Sequence, residues 1–267
     1  TVGASALVAA APFLPLDAAS APTRAHLAAG LLAAGVAAGL GLLPLGGWVV
    51  GGRRSLRGAA LAPWALVLVP ALVLSTQGLP GVLPAEARST LGALLLAAGA
   101  LSAAWAALRG VTAAAGDRYA RLLLADTSLV AMGLAAQAPG ARVGSLLLVL
   151  THLCAAPLLL QDPATMPLRP RRLAWLAVSG VPLTPAFWGR FALVAALAGA
   201  FGGSTLLVTV PVTGALVVVA LRAAGARTAA APGAWSALRV AAWLPPLAAL
   251  TVGAVPATAL RTLLGVG

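Results

Sequence analysis

The chain contains no lysine: all seventeen of its basic residues are arginine, against five acidic residues and two histidines. Lysine is the basic side chain whose pKa burial can draw down to neutrality, whereas a guanidinium keeps its proton in almost any protein setting. Together with the weight of Ala, Gly, Leu and Val, this points to coding bias, with Arg standing where relatives have Lys. The one cysteine, Cys154, lies inside an apolar run and forms no internal disulfide. No Cys/His cluster offers a metal or iron–sulfur site, so neither metal nor cofactor is expected. No phosphate loop, Walker motif or nucleophile elbow is present, and no catalytic site of its own is expected. Only 8% of the residues are charged and 61% are hydrophobic. With its positive mean hydropathy, this composition excludes water as the main solvent.

The fold class is therefore all-α, a polytopic transmembrane helical bundle of about eight spans. A net charge of +12 would suggest nucleic acid in a soluble domain, but the arginines cluster between apolar segments, so the lipid bilayer is the expected partner. The chain opens on Thr with no basic region before an apolar core, so no signal peptide is expected and preceding sequence is expected to be missing. Residues 1–25 read as a short apolar segment, the remnant of a preceding span. Spans follow at His26–Leu45, Ala59–Thr76, Thr90–Leu108, Tyr119–Gln137 and Val143–Leu160, with Gly203–Leu221 and Val240–Leu260 closing the set. Pro70 falls inside the second and is expected to kink or break it. Trp48, Trp175, Trp235 and Trp243 read as interfacial anchors.

The stretch Arg171–Ala200 interrupts itself. Val181-Pro182-Leu183-Thr184-Pro185 places two prolines three residues apart, and Arg190 follows the second by five. Two backbone donors are lost and αR geometry is disfavoured before each proline, so no helix runs straight through. Two structures satisfy this. One is a single span of two half-helices with Arg190 buried at the gap, as transporters build ion sites. The other is a hairpin whose turn lies at the surface, with Arg190 snorkelling to the headgroups. The loops decide between them. Those after spans one, three and five are Arg-rich, the Gln161–Arg172 loop holding Arg169, Arg171 and Arg172, while those after two and four carry one Arg each. Only a single broken crossing puts the Arg222–Arg239 segment on the Arg-rich, cytoplasmic side.

Four stretches, taken in order, resemble the antiporter-like membrane subunits of respiratory complex I and of multisubunit cation/proton antiporters. Pro44-Leu45-Gly46-Gly47-Trp48 resembles a Pro-Leu-His-x-Trp-Leu-Pro loop, and the span after it the family's first discontinuous helix. Asp117–Gly133 is similar to an Asp-x-Lys-Arg-Leu-x-Ala-Tyr-Ser-Ser stretch, and Thr151–Leu158 to Asn-His-Ala-x-x-Lys-Ala-Leu. Ser179–Arg190 resembles Ala-Gly-Leu-Pro-Pro-x-x-Gly-Phe-Trp-Ser-Lys, the second discontinuous helix. The likeness implies an antiporter-like core over residues 26–222, with 223–267 a linker and C-terminal helix.

The resemblance also implies ions moving along a mid-membrane line of buried Lys, Glu and His. Here that line is damaged. The first lysine falls at Pro70 or Ala71, and the next matches Arg121. The histidine matches His152, the lysine four residues beyond it matches Ala156, and the last lysine matches Arg190. The paired glutamate has no counterpart, Glu86 being a loop residue. The proton-path candidates are thus Arg121, Asp126, His152 and Arg190, with helix breaks at Pro70, Pro182 and Pro185.

Each candidate has a plain alternative. Arg121 stands four residues after Asp117, the spacing of an interfacial ion pair. His152 could make an ordinary interhelical hydrogen bond. Asp126 is the hardest to explain structurally, since a carboxyl at mid-span needs a partner, and His152 or an Arg on a neighbouring helix could supply it. The expected function is a divergent, truncated membrane subunit of a complex I-like or antiporter complex in the bacterial cytoplasmic membrane. Its partners would be other membrane subunits and protons or Na+, without nucleic acid, and its proton path would be weakened. A stand-alone transporter or a lipid-handling protein is the alternative.

Overall fold

The computed structural model describes residues 22–44, 61–77, 85–114, 116–160, 168–182 and 184–225. Among these every regular element is helical: α1 (Pro22–Leu40), α2 (Leu61–Gln77), α3 (Ala85–Thr112), α4 (Arg118–Ala136), α5 (Pro139–Leu159), α6 (Leu168–Ser179), α7 (Pro185–Phe201) and α8 (Leu206–Gly225). A single 3-10 turn, Gly203–Thr205, joins the last two. Four elements are long and apolar enough to cross a membrane: α3, α4, α5 and the Gly203–Gly225 segment. The all-α membrane bundle expected from composition is the architecture found. Residues 1–21 of the first apolar segment, the Trp48 loop with its arginines, and the Val240–Leu260 span lie outside the described residues, as do Trp235 and Trp243, while residues 22–25, read as part of that segment, open α1.

The helix ends follow local chemistry. Gly41, at φ +72°, closes α1: its N–H reaches Ala38 O and that of Leu42 reaches Ala37 O, which satisfies the terminal carbonyls. That end falls five residues before the expected Leu45 and lies inside the bundle, where Thr127 of α4 donates to Leu40 O at 3.1 Å. Between α4 and α5 the turn is only Gln137, left-handed at φ +51°, and Ala138; Pro139 then opens α5 with the φ that a first helical turn needs. Two stretches read as loops are instead helical. Glu86 sits in the first turn of α3, where a carboxylate meets the positive helix end. Arg169, Arg171 and Arg172 belong to the first turn and a half of α6.

α4 is the central helix, buried on nearly all sides and packed on α3, α5, α7 and α8. The apolar side chains left exposed, such as Leu101 and Leu108 on α3 and Leu207 and Val210 on α8, suit a lipid-facing rim. Pro70 does not break its helix. α2 runs through it, as α5 and α8 run through Pro157 and Pro211, because one interior proline costs a single hydrogen bond and a bend.

The gap between α6 and α7 is built differently. Gly180 takes the left-handed conformation at φ +74°, Pro182 cannot donate, and Thr184 caps α7 by accepting from Phe187 N at 3.3 Å. Pro185 opens α7. Ser179 Oγ accepts from Val181 N at 3.2 Å and Thr184 Oγ1 donates to Val181 O at 2.8 Å. Val181 N and Val181 O are thereby satisfied within the turn, as non-helical chain at membrane depth requires.

Packing shows that α6 and α7 follow one another in the same direction along the bundle. Both run against α5, and they touch each other little. Gly144 of α5 meets Gly189 of α7, and Gly140 meets Ala196, so α7 advances as α5 recedes. A Cβ on Gly144 would lie 2.6 Å from Gly189 O, so only glycine permits this approach. α8 then returns: Arg222 Nη1 donates to Val111 O at 3.4 Å, and Val219 packs at Gly110, at the closing end of α3. A hairpin at 180–184 would have sent α8 to the opposite end. Arg109, Arg118, Arg169, Arg171, Arg172 and Arg222 accordingly fall at the same end of the bundle.

Candidate functional site

The interrupted helix presents its gap to α4 and α5, and three of the four candidate residues meet there. Tyr119 and Asp126 of α4 are seven residues apart and so share a face. Arg121 stands about 140° round the helix from Asp126, with its guanidinium carbon 4.1 Å from the ring centroid of Trp105 on α3. It therefore belongs to the α3 side of α4 rather than to the gap. Asp126, His152 and Arg190 are 1%, 1% and 3% exposed, which excludes the surface position for Arg190 that a hairpin would have given.

Arg190 grips Asp126 with a two-pronged fork, Nε to Oδ1 and Nη2 to Oδ2, each 2.8 Å. This planar match is what guanidinium offers and ammonium does not. The remaining donors turn to the end of α6: Nη1 to Ser179 O at 2.7 Å and Nη2 to Val178 O at 3.0 Å. These are carbonyls that the helix break leaves without partners, at the negative end of the α6 dipole. Gly180 is required on two counts, since its φ is left-handed and a Cβ there would run into Nη1.

His152 completes the cluster. Its Nε2 lies 2.8 Å from Asp126 Oδ2, and its Nδ1 lies 3.2 Å from the Tyr119 hydroxyl. A carboxylate already holding a guanidinium only accepts, so Nε2 carries the hydrogen and Nδ1 of the neutral ring accepts from Tyr119. The hydroxyl also lies 3.4 Å from His152 O. Trp175 of α6 meets the Tyr119 ring edge-on at 6.1 Å. Trp175 is accordingly not an interfacial anchor but a buried packing partner, 3% exposed.

Tyr119 is the residue that sequence reasoning missed. It is the only tyrosine in the chain and lies one heptad before Asp126, which is the signal that could have found it. The carbonyls of Val178 and Ser179 leave no trace in residue types.

A small open pocket of about 30 Å³ lies towards the Gln137–Ala138 turn. Ser75, Gly133, Arg142 and Ser145 are among its walls. Gly133 and Ser145 lie seven residues from Asp126 and His152 respectively, about 10 Å along the helices. Between them and the cluster stand Leu129 and Leu148, members of one buried apolar group. No group of His, Cys, Asp and Glu able to hold a metal occurs among the described residues.

The sequence matches no protein-family model and no curated protein. In structure it is similar to a chain of respiratory complex I from Thermus thermophilus with bound NADH, at a TM-score of 0.78 and 18% identity over 98% of this chain. A chain of the same complex with bound aureothin aligns at 0.67, with 19% identity over 94%. A chain of the Mrp complex from Dietzia sp. DQ12-45-1b aligns at 0.71, with 13% identity over 98%. In each case this chain spans 64% of the length of the solved chain. At such identity the likeness establishes the fold, which is the fold implied by the antiporter-like resemblance.

Proposed function

We propose that the chain is a multi-pass membrane subunit of a larger assembly of the complex I or Mrp type. It lies in a bacterial cytoplasmic membrane beside other membrane subunits and supports proton translocation through a weakened path of its own. The observation that carries this reading is the closed cluster at the helix break. An acid, an imidazole and a cation meet deep inside the bundle, where ionisable groups are costly to keep. Yet the cation is an arginine bound two-fold to the acid, and a guanidinium does not release its proton. The apolar pair Leu129 and Leu148 between cluster and pocket also favours a slow path over an open one.

Purification of the tagged chain from native membranes in mild detergent should bring down further membrane subunits; a stable, solitary chain would favour a stand-alone transporter. In the reconstituted assembly, His152→Ala should lower proton flux several-fold without abolishing it. Complete loss would mean that the path through this chain is the main one, and no change that it carries no protons.

A further inference from the structure

We propose that the gap between α6 and α7 is a binding site for one monovalent cation, and that its occupant is the chain's own Arg190 guanidinium. The walls are what a cation site needs. They comprise both oxygens of the Asp126 carboxylate and the carbonyls of Val178 and Ser179 at the end of a half-helix. His152 Nε2 shares the Oδ2 side. The two carbonyls stand at the negative end of the α6 dipole, which favours a cation. The fit is to a planar cation: the fork spans the carboxylate while its outer edge meets the carbonyls, an arrangement that neither a spherical ion nor an ammonium reproduces. Gly180 provides the room, since any Cβ would displace Nη1.

A tethered cation makes the site unavailable to free ones. The wild-type chain therefore takes up neither Na+ nor K+ at the gap, and any ion traffic through this region is by protons along the Tyr119–His152–Asp126 hydrogen bonds. Removing the tether leaves an anionic, carbonyl-lined cavity that recruits guanidinium from solution. The inference concerns the occupant of the gap and stands whether or not the chain belongs to a larger assembly.

The test uses the full chain in detergent and its Arg190→Ala variant, titrated with guanidinium, Na+, K+ and tetramethylammonium chlorides at constant ionic strength. Guanidinium should raise the Tm of Arg190→Ala saturably, by about 5 °C at a hundredfold excess over Kd. It should not do so for the wild type, nor for Arg190→Ala combined with Asp126→Asn. If Arg190→Ala fails to fold in plain buffer, purification in millimolar guanidinium should recover a folded, monodisperse chain, and failure to recover it would overturn the proposal. So would an equal response to tetramethylammonium, a flat response of folded Arg190→Ala, or saturable Na+ stabilisation of the wild type that Asp126→Asn removes.

Discussion

At the scale of single residues, the cluster is an accounting of buried charge. Asp126 and Arg190 are each made tolerable by the other, so the outcome of a change depends on whether one or both are removed. Asp126→Leu leaves a guanidinium with only two carbonyls and should destabilise the chain by about 3–5 kcal/mol in denaturant titrations. Asp126→Leu with Arg190→Met should recover only part of that loss: the unpaired charge is gone, but the Val178 and Ser179 carbonyls and His152 Nε2 lose their partners. Tyr119→Phe keeps the ring against Trp175 but removes the hydroxyl from His152 Nδ1. It should cost about 1 kcal/mol, while the ring nitrogen NMR signals of His152 shift well beyond what repacking would cause. Unchanged nitrogen signals would show that the 3.2 Å contact is not a hydrogen bond. That Asp126 needs a partner was legible, because a mid-span carboxyl is costly alone, with His152 and a neighbouring arginine as open candidates. The fork from Arg190 was legible only as one of several options, since sequence spacing does not say which arginine faces inward.

At the scale of elements, the gap and the continuous helices differ in how many local signals agree. Pro70, Pro157 and Pro211 each stand alone, and their helices continue. At 180–184 a left-handed glycine, a proline and a capping Thr-Pro pair coincide. The ends of the gap are therefore set by Gly180 and Thr184 rather than by Pro182. Gly180→Ala should cost at least about 1–2 kcal/mol from its backbone conformation alone, and more through the displaced guanidinium. Thr184→Ala should cost about 1 kcal/mol by loss of the cap, and Pro182→Ala should stay within about 0.5 kcal/mol. A Pro182→Ala loss larger than that of Gly180→Ala would return the break to the proline. The sequence pattern identified this element and its position. It overstated Pro70, because one missing donor is absorbed by a bend, and it placed Glu86 and Arg169–Arg172 in loops because charged residues are also at home in the first turns of helices.

At the scale of the whole molecule, the parity of passes between Arg169 and Arg222 fixes which ends of the helices lie together. In a Cys154→Ala background, single cysteines at Arg169, Ser204 and Arg222 can be challenged with a membrane-impermeant thiol reagent. Arg169→Cys and Arg222→Cys should react from one face and Ser204→Cys from the other; labelling of all three from one face would refute the single broken pass. The same packing accounts for the glycines at Gly144 and Gly189, where α7 crosses α5 at backbone contact. Composition and hydropathy by themselves determined the solvent, the helical class, the approximate spans and the interruption. These depend on transfer free energies and on backbone chemistry that each residue carries wherever it sits. Only the tertiary structure decided that Asp126, His152, Arg190 and Tyr119 meet while Arg121 turns away. Such a meeting depends on the rotation of each helix about its axis, and in a chain this uniformly apolar no amphipathic stripe records that angle.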